Sequence, residues 1–198
     1  MTENAREQAP PSPNLRPNHE CRVPSSRPVP SPQSPVPTYL SDIIDVYIVR
    51  EREHAHSPCC EFLQMRRAES PLRSTWQPLM GHIEADETAI AAALREMQEE
   101  VGLRAGDAAL HELLALEQVH PFFLAELDAI VFSPRFVALV DSTWEPTLND
   151  EHDAHRWVAL ETIDSSFMWP GQRAACAEIL SILTPGNISR EHLRISLG

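Results

Sequence analysis

The chain has 198 residues, 42% of them hydrophobic, and a formal net charge of −13 in which all sixteen positive charges are arginines. That is enough apolar sequence for one domain and a tail, and the acidic balance argues against tracking a DNA or RNA backbone. No apolar run approaches a membrane span, the N-terminus lacks a basic-then-apolar leader, and the four cysteines suggest no disulfide framework, so a protein of the reducing cytoplasm is expected.

Residues 1–38 hold ten of the 18 prolines with many serines and few large apolar residues. Such a segment buries too little surface to offset its ordering entropy, and it reads as a disordered tail with local polyproline II character. SSRPVPSPQSPVP could serve a proline-recognising domain; a passive extension is the plainer reading, and a mis-assigned start a third. From Tyr39 the character changes. Ile43–Val49 is β-branched and aromatic and predicts a strand. Glu51–Pro58 reads as a polar hairpin turn, and Phe62–Met65 as a second strand ending at Arg66-Arg67. His54, His56, Cys59 and Cys60 in the turn lack the paired C-x2-C or H-x3-H spacing of a zinc site, and an ordinary loop is expected. Ser70–Thr75 is a second loop, followed by a short strand over about Leu79–Ile83.

The stretch from Gly81 to Leu103 is the most informative. On a helix from about Glu87 to Val101, Ile90, Ala93, Leu94, Met97 and Val101 follow the i, i+3, i+4, i+7 pattern and predict one buried stripe. Glu96, Glu99 and Glu100 lie three and four apart on a neighbouring face and repel one another. Carboxylate oxygens concentrated beside a loop are what a hard divalent cation requires. Gly102 suits a left-handed C-cap, and Gly81 a tight turn or close backbone approach. Glu87, near the helix start, is favoured by the helix dipole.

Beyond the helix, His111–Val119 and Phe122–Phe132 are apolar enough for strands, although His111–Leu116 could equally be helical. Phe136–Val140 is a short strand after the break at Pro134, and Glu145–Asp153 an acidic loop. Arg156–Val158 reads as a strand and Ala159–Phe167 as a partial helix. Pro170-Gly171 reads as a break before a last amphipathic helix over about Gln172–Leu183. The residues after Pro185-Gly186 look frayed. Strands, helix, strands, helix fit one mixed-sheet α/β domain over about residues 39–184, with 185–198 as an extension.

Gly81, Glu87 and Arg95-Glu96-Met97-Gln98-Glu99-Glu100-Val101-Gly102-Leu103 match all nine defined positions of G-x5-E-x7-R-E-U-x-E-E-x-G-U, where U is apolar. At average residue usage such a match arises by chance with a probability on the order of 10⁻⁷. The stretch resembles the Nudix box. The resemblance implies a Nudix hydrolase: an α/β/α sandwich that cleaves a nucleoside diphosphate linked to another moiety, with Mg²⁺ or Mn²⁺ as cofactor. Glu151-His152 followed by Arg156-Trp157, together with Trp76-Gln77, Trp169-Pro170-Gly171-Gln172 and Arg66-Arg67, resembles the branch of dihydroneopterin triphosphate and deoxynucleoside triphosphate pyrophosphohydrolases. Met80 before Gly81 and His82 after it depart from the usual pattern. So does the absence of lysine, which leaves any substrate contact made by lysine in relatives lost or taken by arginine.

The expected site follows from the resemblance. Glu96, Glu99, Glu100 and Glu151, with the Gly81 carbonyl, hold the metal, and Glu99, Glu100 and Glu151 are the candidates for catalysis. Arg95 and Glu87 support the site, and Arg66 contacts phosphate. A small nucleotide or pterin phosphate is the expected partner, with no nucleic acid polymer and no membrane; composition says nothing of oligomeric state.

Overall fold

The computed structural model describes residues 36–54 and 57–197. The elements are β1 (Thr38–Leu40), β2 (Ile43–His54), β3 (Ser57–Arg67), β4 (Trp76–Gln77), β5 (Leu79–His82), α1 (Ala89–Val101), β6 (Leu110–Ala115), β7 (Phe122–Leu124), β8 (Ala129–Val131), β9 (Arg135–Val140), β10 (His152–Ala159), a 3-10 turn (Leu160–Thr162), α2 (Ile163–Ser166), α3 (Pro170–Leu183) and α4 (Arg190–Leu193). The main sheet runs in the order β10-β3-β2-β9-β6, with β4 paired to β3 and β5 to β2, and a small sheet has the order β1-β8-β7. β2 and β9 pair in parallel while their other neighbours are antiparallel, so the main sheet is mixed.

Side chains alternate between two cores with the period of a strand. Ile44, Val46 and Ile48 of β2, Leu63 and Met65 of β3, and Phe136, Ala138 and Val140 of β9 pack with Ala92, Ala93, Met97 and Val101 of α1. Tyr47, Val49, Phe62, Val137 and Leu139 face the other way, onto Ala175, Cys176, Ile179 and Ile182 of α3. The result is an α/β/α sandwich. All six residues of β9 are buried, which is why FVALV reads as a continuous apolar run rather than an alternating one.

Several elements depart from the sequence reading. β2 continues to His54 and β3 begins at Ser57, so the expected eight-residue turn is mostly strand; cross-strand pairing extends polar residues that propensity alone would leave in a loop. The zinc question turns on side chains at positions 54, 56 and 59, which lie outside the described residues; Cys60 is buried in the second core. Phe122–Phe132 is a hairpin, β7 and β8, closed by a tight turn with Asp128 at φ +46°. Pro170 is in the first turn of α3 rather than before it, where a fixed φ and a missing N–H cost nothing.

The last residues are not frayed. Arg190 and Arg194 pair with Glu112, the Ile195 N–H donates to the Leu113 carbonyl at 2.8 Å, and Ile195 and Leu197 pack on the first core. This strap covers β6, the edge strand of the main sheet, whose unpaired backbone would otherwise be open to another chain. Ending the chain at Thr184 should therefore cost about 2 kcal/mol from lost apolar burial alone, or roughly 4–8 °C of Tm for a domain of this size. Thermal unfolding of the truncated chain checks this; an unchanged Tm would show the strap to be passive.

Candidate active site

α1 is defined at both ends by its own sequence. Thr88 is extended and its hydroxyl accepts the Ala91 N–H at 3.1 Å, an N-cap that satisfies one free donor. At the other end Gly102 takes φ +72°, and the Gly102 and Leu103 N–H groups close on the carbonyls of Gln98 and Met97. The buried face is Ala92, Ala93, Glu96, Met97, Glu100 and Val101, whereas Ile90 is 40% exposed. The expected stripe holds at Ala93, Met97 and Val101, with Leu94 packed beside them, and fails at Ile90. Two glutamates share the inward face, and the small side chains of Ala92 and Ala93 let the helix approach the sheet closely.

β5 brings Gly81 against this helix. Gly81 pairs with Ile44 of β2, and a Cβ on Gly81 would collide with the Glu96 carboxyl group. Any larger residue there would have to push the Glu96 side chain out of its place. Glu87 lies one residue before the N-cap rather than in the first turn. Its carboxylate accepts the Glu84 N–H and a two-pronged Arg95 guanidinium, at 3.0 Å from Nε and 2.9 Å from Nη2. Arg95 also reaches Glu96 (2.9 Å), Glu99 (3.2 Å) and the His82 carbonyl (2.7 Å). The planar guanidinium suits this bridging of several carboxylates. The links tie the β5–α1 loop, the helix and two glutamates into one unit.

Glu151 arrives from the far side. The Thr147 and Asn149 N–H groups donate to the carbonyls of Val101 and Glu100, at the helix end where backbone acceptors are free. The Asn149 side chain then accepts the Glu151 N–H, and the Glu151 carbonyl accepts the Ala68 N–H. A cleft of about 360 Å³ opens between these elements, lined by Gly81, Arg95, Glu96, Glu100 and Glu151 together with Arg67. Glu99 does not line it; it is exposed and held by Arg95.

The electrostatics are unbalanced. Burial pushes the Glu100 carboxyl up to about 9, reinforced by the charges of Glu96 and Glu151 and only partly offset by Arg67. Glu100 Oε2 is buried with no hydrogen-bond partner. Its neighbour is His152, whose Nδ1 lies 3.7 Å away and which burial holds below its ordinary value, so it brings no positive charge. Burial also raises Glu96, against the pull of Arg95. Among the described residues, no three His, Cys, Asp or Glu side chains are gathered closely enough to enclose an ion as they stand. The donor chemistry nevertheless fits a hard cation: carboxylate oxygens, an orphaned buried Oε2 and a glycine backbone held open beside Glu96.

A NUDIX domain family model matches residues 42–178, more than half of the chain. The chain belongs to the Nudix family. Nudix domains generally work with a divalent cation, which agrees with the donor set. Among curated relatives, an octanoyltransferase of Myxococcus xanthus is 35% identical over 100 residues, 50% of this chain and 26% of that one. A bis(5'-nucleosyl)-tetraphosphatase (asymmetrical) of Sus scrofa is 34% identical over 92 residues, 43% of this chain and 56% of that one. The match thus spans about a quarter of the first relative and just over half of the second. A C. elegans Ap4A hydrolase shares the Nudix fold with a TM-score of 0.58 at 19% identity, over 73% of this chain and 98% of that one.

Arg66, the expected phosphate contact, points elsewhere: its Nε donates to Asp153 at 2.6 Å, and its guanidinium lies 5.8 Å from the Trp76 ring. Arg67 lines the cleft instead, with a buried Nε that has no hydrogen-bond partner. The period of a strand contains the signal. Leu63 and Met65 face α1, so Arg67 shares their side and Arg66 does not.

The carboxylate imbalance has a measurable consequence without metal. Glu100 titrates at about 9 when folded against an ordinary 4.5, so folding takes up a proton. Its contribution to stability is complete below 4.5 and is lost as pH rises towards 9. In chelator-treated protein, Tm of the wild type should fall across that window relative to Glu100→Gln, and parallel Tm curves would contradict the buried carboxylate.

Proposed function

We propose that this Nudix domain is a Mg²⁺-dependent pyrophosphohydrolase that converts a nucleoside triphosphate, or dihydroneopterin triphosphate, to the monophosphate and pyrophosphate. The observation that carries the reading is the convergence of Glu96, Glu100 and Glu151 with Gly81 and Arg67 on one cleft. Glu96, Glu100, Glu151 and the Gly81 carbonyl are the cleft groups that would hold Mg²⁺, with Mn²⁺ as a substitute; Glu99, held by Arg95 outside the cleft lining, is the remaining candidate ligand. When bound, the cation neutralises charge on the phosphate oxygens and lowers the pKa of water.

The chain's own residues do the rest. Arg95 and Glu87 fix the loop and the helix relative to one another and hold Glu96 in place before charge develops. Arg67, with its unsatisfied Nε, offers a donor to a phosphate oxygen. Glu151 is exposed, lines the cleft and lies outside the helix, which suits it to accept a proton from the attacking water. Glu100 would give up its proton when the cation binds.

A second substrate, a dinucleoside polyphosphate, is favoured by the 34% identity to the tetraphosphatase of Sus scrofa. The two readings share the site and differ in products. Incubation with a panel of nucleoside triphosphates, dihydroneopterin triphosphate and diadenosine tetraphosphate, with product analysis, separates them. Pyrophosphate release from a triphosphate is the expected result, while ATP and AMP from the tetraphosphate would favour the second. Glu100→Gln should lower kcat by about 10²–10³-fold, in the range expected when transition-state charge stabilisation is lost, without loss of fold. Metal-dependent turnover that survived the substitution would remove Glu100 from the site.

A further inference from the structure

The cleft has two unlike walls. One is the acidic wall already described. The other is apolar, formed by Ile43 and Met80 with Pro71 and Leu72 from the loop between β3 and β4. Leu72 is unusual on two independent counts. It is 49% exposed, and its backbone has φ +64°, a conformation that a large branched residue adopts at a cost.

The loop holds it there. Arg67 and Thr75 close the base, with the Arg67 N–H on the Thr75 carbonyl at 3.1 Å and the Ser74 N–H on the Arg67 carbonyl at 2.9 Å. The Leu72 carbonyl accepts both the Thr75 N–H (3.1 Å) and the Thr75 hydroxyl (2.6 Å). A glycine or asparagine would occupy this position at less cost. The leucine side chain adds no burial to either core; it adds apolar surface to the cleft. Arg67 anchors the loop and lines the same cleft.

We propose that Leu72, backed by Pro71, Ile43 and Met80, is the specificity-determining contact for the planar heterocycle of the substrate, a nucleobase or pterin ring. This rests on the nucleotide-hydrolase reading, with the phosphates lying over Arg67 and the acidic wall. An aromatic ring loses apolar surface to water when it covers Leu72, whereas pyrophosphate has no such surface to cover.

The test is titration calorimetry of the full chain in Mg²⁺ with AMP, GMP, CMP, UMP, dihydroneopterin monophosphate and pyrophosphate. It compares wild type with Leu72→Gly, and with Leu72→Asn should the glycine variant fail to fold. The tightest ring-bearing ligand should bind about tenfold more weakly to the variant, pyrophosphate should be within twofold, and Tm should equal or exceed that of the wild type because the left-handed backbone is relieved. Unchanged affinity for the ring-bearing ligand, a parallel loss for pyrophosphate, or no ring-bearing ligand bound by the wild type would overturn the proposal. Selective weakening in a chain that hydrolyses no substrate of the panel would leave the apolar wall standing and remove the hydrolytic reading instead.

Discussion

Glu96 and Glu100 are buried on the inward face of one helix, within the field of a third carboxylate, Glu151, and the fold does not supply enough positive charge to balance them. In water three carboxylates at this spacing would repel weakly; where solvent is excluded the same repulsion grows, and each ion also loses hydration. Arg95 answers part of this, but its guanidinium is directed at Glu87, Glu96 and Glu99. Glu100 is left with a histidine that burial keeps neutral and with Arg67 across the cleft. A protein that keeps such a group has a reason other than stability, and a divalent cation is the missing counter-charge that the donor set fits. The structural devices around the helix follow from the same constraint. An acidic helix face turned inward must be held there by something stronger than its own preference for water.

Both ends of α1 are therefore fastened, and the fastenings also assemble the site. At the N-terminal side, Arg95 reaches back eight residues to Glu87 and to the His82 carbonyl, so the residue that offsets the helix charge also sets the loop that follows Gly81. At the C-terminal side, the segment that satisfies the carbonyls of Glu100 and Val101 is the one that carries Glu151. Farther up that segment, Glu145 is gripped by Arg50 (2.8 Å), the Trp157 indole (2.9 Å) and His155 (3.1 Å), while Arg50 stacks on the Trp157 ring at 3.9 Å. Thus the two halves of the carboxylate set are joined through backbone groups that the helix would otherwise leave unpaired.

The helix was legible in the sequence because its chemistry and its period coincide. Glu96, Glu99, Glu100, Arg95 and the capping Gly102 are fixed in register by one regular element, so their spacing along the chain is also their spacing in space. Strands β2, β9 and α3 could be read from apolar runs for the same reason. Long-range pairing was not legible. Polar residues 51–54 become strand because β3 lies beside them, and the C-terminal residues are ordered by the bare edge of β6, neither of which leaves a local mark. The place of Ile90 on α1 differs from the sequence reading for a related cause. Hydrophobicity ranks Ile90 above Glu100, but Glu100 is buried and Ile90 is exposed.

The choice between Arg66 and Arg67 shows where the boundary of sequence reading lies. Adjacent strand residues point to opposite faces, so naming the pair without the face leaves the functional assignment undetermined. The face itself follows once Met65 is placed in the core against α1, and then Arg67 rather than Arg66 falls on the cleft side of the strand. Leu72 is different in kind. Nothing in the composition of the Ser70–Thr75 loop marks a positive φ, since the residue found there is one that disfavours it. A conformation contrary to local preference becomes visible only when the backbone is in hand, and it stands at the mouth of the cleft rather than in the scaffold. Elements set by short-range pattern can be read from the sequence; Leu72, on the cleft, runs against local preference, which is the pattern expected where function rather than folding chose the residue.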